Sequence, residues 1–255
     1  MMTLEGMRFF VALQFLTRIP LKHIDPLPMD WLARAAKYFP LVGGLIGIAA
    51  GGVIVLASYV FPSPLPVILG LAFAILLTGA LHEDGLADTA DAFGGGHTRE
   101  RCLEIMKDSR IGTYGMLALI VTLALKATAL AHVSPFTAAA IVIAGFAGAR
   151  LAAVLALAVL PYGGGEAAKV SRTASDMTTS ELGVAVATGL IFGLIFLNPL
   201  VFLASTLFAG VAAALVALIA QQKIGGYTGD VLGAIEQIYE TVFFIFAVAI
   251  ISGPG

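Results

Sequence analysis

Charge is scarce in this chain. Only 12% of its 255 residues are Asp, Glu, Lys or Arg, about half the share usual in soluble domains. With 59% hydrophobic residues and a mean hydropathy of +0.99, that scarcity excludes an ordinary soluble domain and predicts a polytopic, all-α membrane bundle. Cysteine is scarcer still. The single Cys102 cannot form an intrachain disulfide framework and leaves redox or metal-thiolate chemistry without ligands. A net charge of −2 lacks the basic excess expected of a nucleic-acid partner or an acidic membrane surface.

What is present is a series of apolar runs, each near the ~20 residues needed to cross a bilayer. They fall at 38–61, 65–81, 113–133, 135–160, 182–197 and 198–220, with a seventh at 231–252 that is polar in its first half. The pair 182–220 reads either as two spans or as one hairpin broken at Asn198-Pro199. The last run either spans as a tilted helix or enters the membrane only partway, because Asp230, Glu236 and Glu240 precede its apolar end. Pro62, Pro64, Pro135 and Pro199 mark short turns.

Basic residues occupy alternate connections: Arg8, Arg18, Lys22, Arg34 and Lys37 in the N-terminal segment, Arg99, Arg101, Lys107 and Arg110 after the second span, Lys169 and Arg172 after the fourth, then Lys223. The turns near 62, 134 and 198 carry none. The positive-inside rule therefore predicts a cytoplasmic N-terminus and cytoplasmic charged loops, and the expected location is the cytoplasmic (inner) membrane with the active face in the cytoplasm. Only Lys126 and Arg150 fall within spans, and all acids are expected in the cytoplasmic segments or at their membrane edges. The chain reads as one membrane domain, 1–255, with an N-terminal segment 1–37, an acidic and basic catalytic loop 82–112, and further loops 161–181 and 221–230 on the same side. Phe9 to Leu16 lacks a cleavage site and has Arg18 directly after it, which fits an interfacial or bundle-packed amphipathic helix better than a signal peptide.

The chemically dense stretch is His82-Glu83-Asp84-Gly85-Leu86-Ala87-Asp88-Thr89-Ala90-Asp91. On a helix, Asp84, Asp88 and Asp91 share a face, and like charges at that spacing repel. Acids beside a membrane span are costly and usually functional. A divalent cation reverses the penalty, and carboxylates without other donors suit Mg²⁺. The alternative is a solvated acidic helix start favoured by the helix dipole, which fades before Asp91. Gly94-Gly95-Gly96 reads as a flexible turn exposing backbone N–H groups, and Thr98 as the N-cap of a short helix ending near Asp108. Arg101, Lys107 and Arg110 follow. Acids to hold a metal and bases to neutralise phosphate oxygens are the two halves of a phosphoryl-transfer site. Asp230, Gln237 and Glu240 fall within about a quarter-turn of one another on a helix, on the same side as Asp84. Asp230 then either caps that helix or adds a second acid to the site. Gly163-Gly164-Gly165 with Lys169 and Arg172 is a weaker candidate for nucleotide contact.

His82 to Asp91, followed by Leu103-Glu104-Ile105-Met106-Lys107-Asp108-Ser109-Arg110-Ile111-Gly112-Thr113-Tyr114-Gly115, closely resembles the cobalamin synthase family, the adenosylcobinamide-GDP ribazoletransferases. The resemblance extends to Phe15-Leu16-Thr17-Arg18-Ile19-Pro20, Phe39-Pro40-Leu41-Val42-Gly43 and Gly229-Asp230-Val231-Leu232-Gly233-Ala234. It implies a Mg²⁺-dependent transferase that joins adenosylcobinamide-GDP to α-ribazole, or its 5′-phosphate, with release of GMP, and a homo-oligomer is compatible with it. Layered on that, Asp84, Asp88, Asp91 and Glu83 are expected as metal ligands, with Asp84, Asp88, Lys107 and Arg110 catalytic. Arg18, Arg101, Asp230 and Glu240 are expected to contact the substrates. Many relatives carry an apolar residue where Glu83 stands. A CDP-alcohol phosphotransferase would use a similar aspartate cluster, but here Gly85 is followed by Leu-Ala-Asp and not by the Asp-Gly-x-x-Ala-Arg pattern. A transporter would place its acids near the midplane within internal repeats.

Overall fold

The computed structural model describes residues 3–21, 31–164 and 177–253. Among the described residues the regular structure is helical: α1 (Leu4–Leu16), α2 (Trp31–Ala36), α3 (Phe39–Ser58), α4 (Leu65–Thr78), α5 (Leu81–Gly95), α6 (Arg99–Met106), α7 (Thr113–Ala131), α8 (Pro135–Val159), α9 (Thr179–Phe196), α10 (Pro199–Ile224) and α11 (Gly229–Ser252). Six of these, α3 and α7 to α11, are long and apolar enough to cross a membrane. The chain is a polytopic helical membrane protein.

Local chemistry sets many of the boundaries. Ser134 caps α8 and Asn198 caps α10 through their side chains, each with proline directly after, where its missing N–H costs nothing and its fixed φ suits a helix start. The break at Asn198-Pro199 thus separates two full helices. Thr178 and Glu181 form a reciprocal capping box at α9. Thr228 caps α11, accepting from Val231 N, and that helix runs unbroken from Gly229 to Ser252.

The centre of the bundle is α8, whose most apolar stretch is 83% buried, followed by α11 at 61%; α7, α9 and α10 are only 22% buried and carry the outward apolar surface. Tight approach of α3 to α8 depends on Gly43, Gly47 and Gly51, a stripe of small residues at helical spacing. A Cβ on Gly47 would stand 2.7 Å from the Ile143 Cα, and one on Gly51 3.0 Å from the Ala139 Cβ. The N-terminal α1 packs under the bundle: Val11, Ala12 and Leu16 are buried, Phe15 stacks on Phe39 at 5.5 Å, and Lys37 pairs with Glu5 at 2.7 Å.

One predicted span is different. In place of a straight run over 65–81, α4 stops at Thr78 and bends by 87° into α5. Gly79 and Ala80 both adopt left-handed conformations, φ +70° and +60°, and two such residues in succession turn the chain sharply. At ~1.5 Å per residue α4 is about 21 Å long, short of the ~30 Å hydrocarbon core. The 82–112 region is therefore mostly helix, α5 and α6, set at the charged end of the bundle.

That end is tied together by cations donating to backbone carbonyls. Arg99 donates to Ile224 O and Gly163 O, both at 2.9 Å. Lys223 reaches Phe93 O at 3.1 Å and Gly96 O at 3.2 Å. The loops after α5, α8 and α10 thus lie on one side, as the alternation of basic residues predicts.

Candidate active site

The site grows from the crossing of α5 and α11. Gly85 and Gly233 let the backbones meet: a Cβ on Gly85 would lie 3.0 Å from the Asp230 Cα, and one on Gly233 3.2 Å from the His82 Cα. No larger residue fits at either place without moving a helix. The pairs run in opposite senses, so α5 rises along α11 antiparallel, and Asp84 and Asp88 come opposite Asp230. The charges acting on Asp88 come from Asp84, Asp230 and Asp91, all of one sign, and Asp84 acts likewise on Asp230. Asp84 is exposed, while Asp88 and Asp230 are half-buried. Among the described residues no cation pairs with any of the three. Asp230 does not cap α11, since Thr228 does so; its carboxylate accepts from the Thr228 hydroxyl at 3.4 Å.

Two expected metal ligands, Asp91 and Glu83, and one expected substrate contact, Glu240, turn elsewhere. Asp91 is buried and spends both oxygens on the entry to α7, accepting from Gly112 N at 2.6 Å and Gly115 N at 2.9 Å. Those N–H groups are orphan donors of a helix start, so a carboxylate there satisfies them with its charge suited to the helix dipole. Glycine is required at 115, where a Cβ would approach the Ala87 carbonyl to 2.8 Å. Glu83 points into the bundle and accepts from Gln237 Nε2 at 3.0 Å. Glu240 is 2% exposed, pairs with Lys126 at 2.6 Å and with Arg150, and so is not available to a ligand at the surface. The expectation that all acids sit at membrane edges fails for Glu236 and Glu240, which lie deep in α11.

The predicted bases divide. Arg18 sits at the α4–α5 corner: its backbone N donates to Leu77 O at 2.7 Å, and its side chain lies across Gly79, where a Cβ would come within 2.7 Å of its Cδ. Lys107 is exposed at the C-cap of α6 and makes no ion pair among the described residues. Arg110 forks onto Asp108 at 3.0 and 2.7 Å and holds that carboxyl down at about 2; both are solvated, so a phosphate can displace Asp108 at little cost. Segment 107–112 is anchored through Gly112 to Asp91, one turn of α5 from Asp88. Arg101 pairs with Glu104 at 3.0 Å on the exposed face of α6 and is not drawn toward the aspartates.

Two other readings change. Gly94 and Gly96 are packing sites, not a flexible turn: a Cβ on Gly94 would meet the Tyr114 ring at 2.6 Å, and one on Gly96 the Ala92 carbonyl at 2.6 Å. Thr98 does cap α6, accepting from Arg101 N at 3.2 Å. Gly163 donates to Tyr227 O at 2.8 Å, which ties it to the start of α11, whereas Gly165, Lys169 and Arg172 lie outside the described residues.

The donors that remain fit Mg²⁺. Among the described residues no three His, Cys, Asp or Glu side chains converge tightly enough to hold an ion by themselves. Mg²⁺ asks less of the protein, since it keeps several waters and is commonly held by one or two carboxylates together with substrate phosphates. Asp84 and Asp88, unpaired and facing Asp230, supply that.

Sequence reasoning missed His82, Lys126, Arg150, Glu236 and Gln237 as a group. Arg150 donates to Glu240 and lies 3.0 Å from Glu236 Oε2 and 3.2 Å from His82 Nδ1. Lys126 donates to both Gln237 and Glu240 at 2.6 Å. The available signal was that an intramembrane cation needs a partner at its own depth.

The cobalamin-5-phosphate synthase family model matches residues 8–248. The chain belongs to that family. Members similar to it include three proteins named adenosylcobinamide-GDP ribazoletransferase: from Shewanella frigidimarina, 39% identical over 95% of this chain and 94% of that one; from Leptothrix cholodnii, 40% over 94% of each; and from Bradyrhizobium diazoefficiens, 38% over 94% and 92%. No solved structure matches the chain. As a member of the cobalamin-5-phosphate synthase family, it is a membrane-embedded transferase of cobalamin biosynthesis.

Proposed function

We propose that the chain joins adenosylcobinamide-GDP to α-ribazole, or to α-ribazole 5′-phosphate, releasing GMP, with Mg²⁺ at the α5–α11 crossing. The observation that carries this is a face of like charges, Asp84, Asp88 and Asp230, with no cation paired to it among the described residues. Such a face is unfavourable on its own and suits a divalent ion carrying a diphosphate. In the reaction the ribazole hydroxyl oxygen bonds to the phosphorus attached to cobinamide, the bridging P–O bond breaks, and GMP departs. Bound Mg²⁺ would supply positive charge against the diphosphate oxygens.

The chain's own residues do the rest. Asp84 and Asp88 would hold the ion, with Asp230 across the crossing. One of these carboxylates takes the hydroxyl proton. Arg18, at the α4–α5 corner, and Lys107 and Arg110, beside the Gly112 anchor, bind phosphate oxygens and offset the charge of departing GMP. Such chemistry asks mainly for positioning and electrostatics, which a rigid helix crossing provides.

The test is GMP release by full-length protein in nanodiscs. Asp84→Asn and Asp88→Asn should abolish it while insertion and purification stay normal. Retention of more than about a tenth of wild-type activity, a loss under roughly 1.4 kcal/mol of transition-state stabilisation, contradicts direct ligation.

The distribution of Lys and Arg supports a cytoplasmic site in the inner membrane. In a variant lacking Cys102, cysteines at Ser63, Ser134 and Asn198 should then react with an impermeant thiol reagent from outside the cell. One at Thr98 should not, and its labelling from outside would reverse the orientation.

A further inference from the structure

We infer that Arg150 is a positioning residue, the centre of a buried clamp that fixes α5 against α11 and so holds Asp84 and Asp88 facing Asp230; this rests on the metal-site reading above. Each nitrogen of its guanidinium meets a different residue: Nε lies 3.0 Å from Glu236 Oε2, Nη1 donates to Glu240 Oε1, and Nη2 lies 3.2 Å from His82 Nδ1. Because an arginine nitrogen only donates, Nδ1 of His82 accepts in that contact; His82 Nε2 lies 3.0 Å from the same Glu236 oxygen, at ion-pair distance, and neither it nor Arg150 Nε is aligned to hydrogen-bond that oxygen. His82 belongs to α5, and Glu236 and Glu240 belong to α11. Arg150, from α8, therefore bridges the two helices that carry the aspartates.

The surroundings are shaped for it. Gly43 on α3 leaves room, since a Cβ there would come within 2.8 Å of the Arg150 Cδ, and the Phe146 ring lies 5.0 Å from the guanidinium carbon. A parallel link runs through Lys126 to Gln237 and on to Glu83 of α5. Arg150 itself is 2% exposed.

Buried ion pairs are poor stabilisers compared with apolar packing of the same volume. A clamp is useful here for another reason. Asp84, Asp88 and Asp230 repel, which pushes the outer ends of α5 and α11 apart whenever no cation lies between them. The clamp sits deeper on the same crossing, from His82, about half a turn below Asp84, to Glu240, nearly three turns below Asp230, and opposes that rotation, so the cleft is preformed. Lysine cannot replace arginine, because a single ammonium is a point charge without the rigid fork.

The experiment uses full-length protein lacking Cys102, with cysteines at Asp88 and Asp230, and reads the rate of oxidative crosslinking, which needs no metal. Adding Arg150→Lys, which keeps the buried charge and so the better chance of folding, should slow crosslinking at least about fivefold at a melting temperature within a few degrees of its parent. With the aspartates intact, Arg150→Lys should weaken Mn²⁺ binding, read by electron paramagnetic resonance, about tenfold or more. Unchanged crosslinking and Mn²⁺ affinity overturn the clamp, as does a fall in melting temperature with both readouts preserved, which marks a merely structural ion pair. Slowed crosslinking together with Mn²⁺ binding that Asp84→Asn leaves untouched upholds the clamp and overturns the metal site instead. If Arg150→Lys fails to fold, Gln237→Leu cuts the parallel link to Glu83 and is read in the same two ways.

Discussion

Two sets of charges lie along the crossing of α5 and α11, and they solve opposite problems. At the outer end Asp84, Asp88 and Asp230 face one another without a cation paired to them among the described residues. Deeper on the same crossing, Glu83, the neighbour of Asp84, and Glu236 and Glu240, ~9 and ~15 Å below Asp230 along α11, are matched by Lys126, Arg150, His82 and Gln237, and the charged groups are within a few per cent of full burial, apart from half-buried Glu83. Lys126, Arg150 and Glu240 lie ~13–20 Å along their helices from the charged end, near the middle of a ~30 Å hydrocarbon core. There a charge without a partner is prohibitively costly, so each cation is matched within the bundle. At the water-facing end an acid can remain unmatched by protein and wait for a ligand. Depth separates the carboxylates matched within the bundle from those of the proposed metal site.

The inner set can be broken most severely. Lys126→Met leaves Glu240 and Gln237 without their shared donor in a buried setting, and removal of one partner of a buried pair typically costs about 3–5 kcal/mol. Melting of the full-length protein in detergent or nanodiscs should show a large loss, and adding Glu240→Gln should recover part of it. A Lys126→Met protein as stable as wild type would mean that the inner charges are not interdependent.

A smaller effect sharpens the boundary between the two sets at Asp91. The Asp91→Asn side chain keeps one acceptor oxygen for Gly112 or Gly115 and turns an amide donor toward the other, leaving one N–H unmatched at a cost of about 1–3 kcal/mol. Stability should fall by that order while folded protein still releases GMP. Lost turnover at unchanged stability would return Asp91 to the metal site.

Much of this was legible in the sequence because its causes are local. Ser134-Pro135 and Asn198-Pro199 announce helix starts through capping and proline geometry, and the apolar runs have the length a bilayer demands. The aspartate face was visible because helical spacing alone aligns Asp84 with Asp88. Other features depend on distant groups. Asp91 is diverted by N–H groups 21 and 24 residues later in the chain, and nothing in its own neighbourhood foretells that. The bend at Gly79-Ala80 needs a non-glycine residue in a left-handed conformation, which the surrounding packing imposes. Lys126 and Arg150 stood out as intramembrane cations, yet choosing Glu236, Glu240 and His82 as partners requires the depth and rotation of four helices. Glu83 and Glu240 were expected to face ligand for the same reason: periodicity tells which residues share a face, not which way the face turns.

The central claim is that the outer carboxylates and the substrate's diphosphate share one divalent ion. The direct measurement is ³¹P electron–nuclear double resonance on Mn²⁺ bound to the full-length protein with adenosylcobinamide-GDP. The account predicts phosphorus coupling to the bound Mn²⁺ in the wild-type protein and its loss in Asp84→Asn and Asp88→Asn. Mn²⁺ that binds equally well in those variants, or that shows no coupling to phosphorus in the wild type, would contradict it.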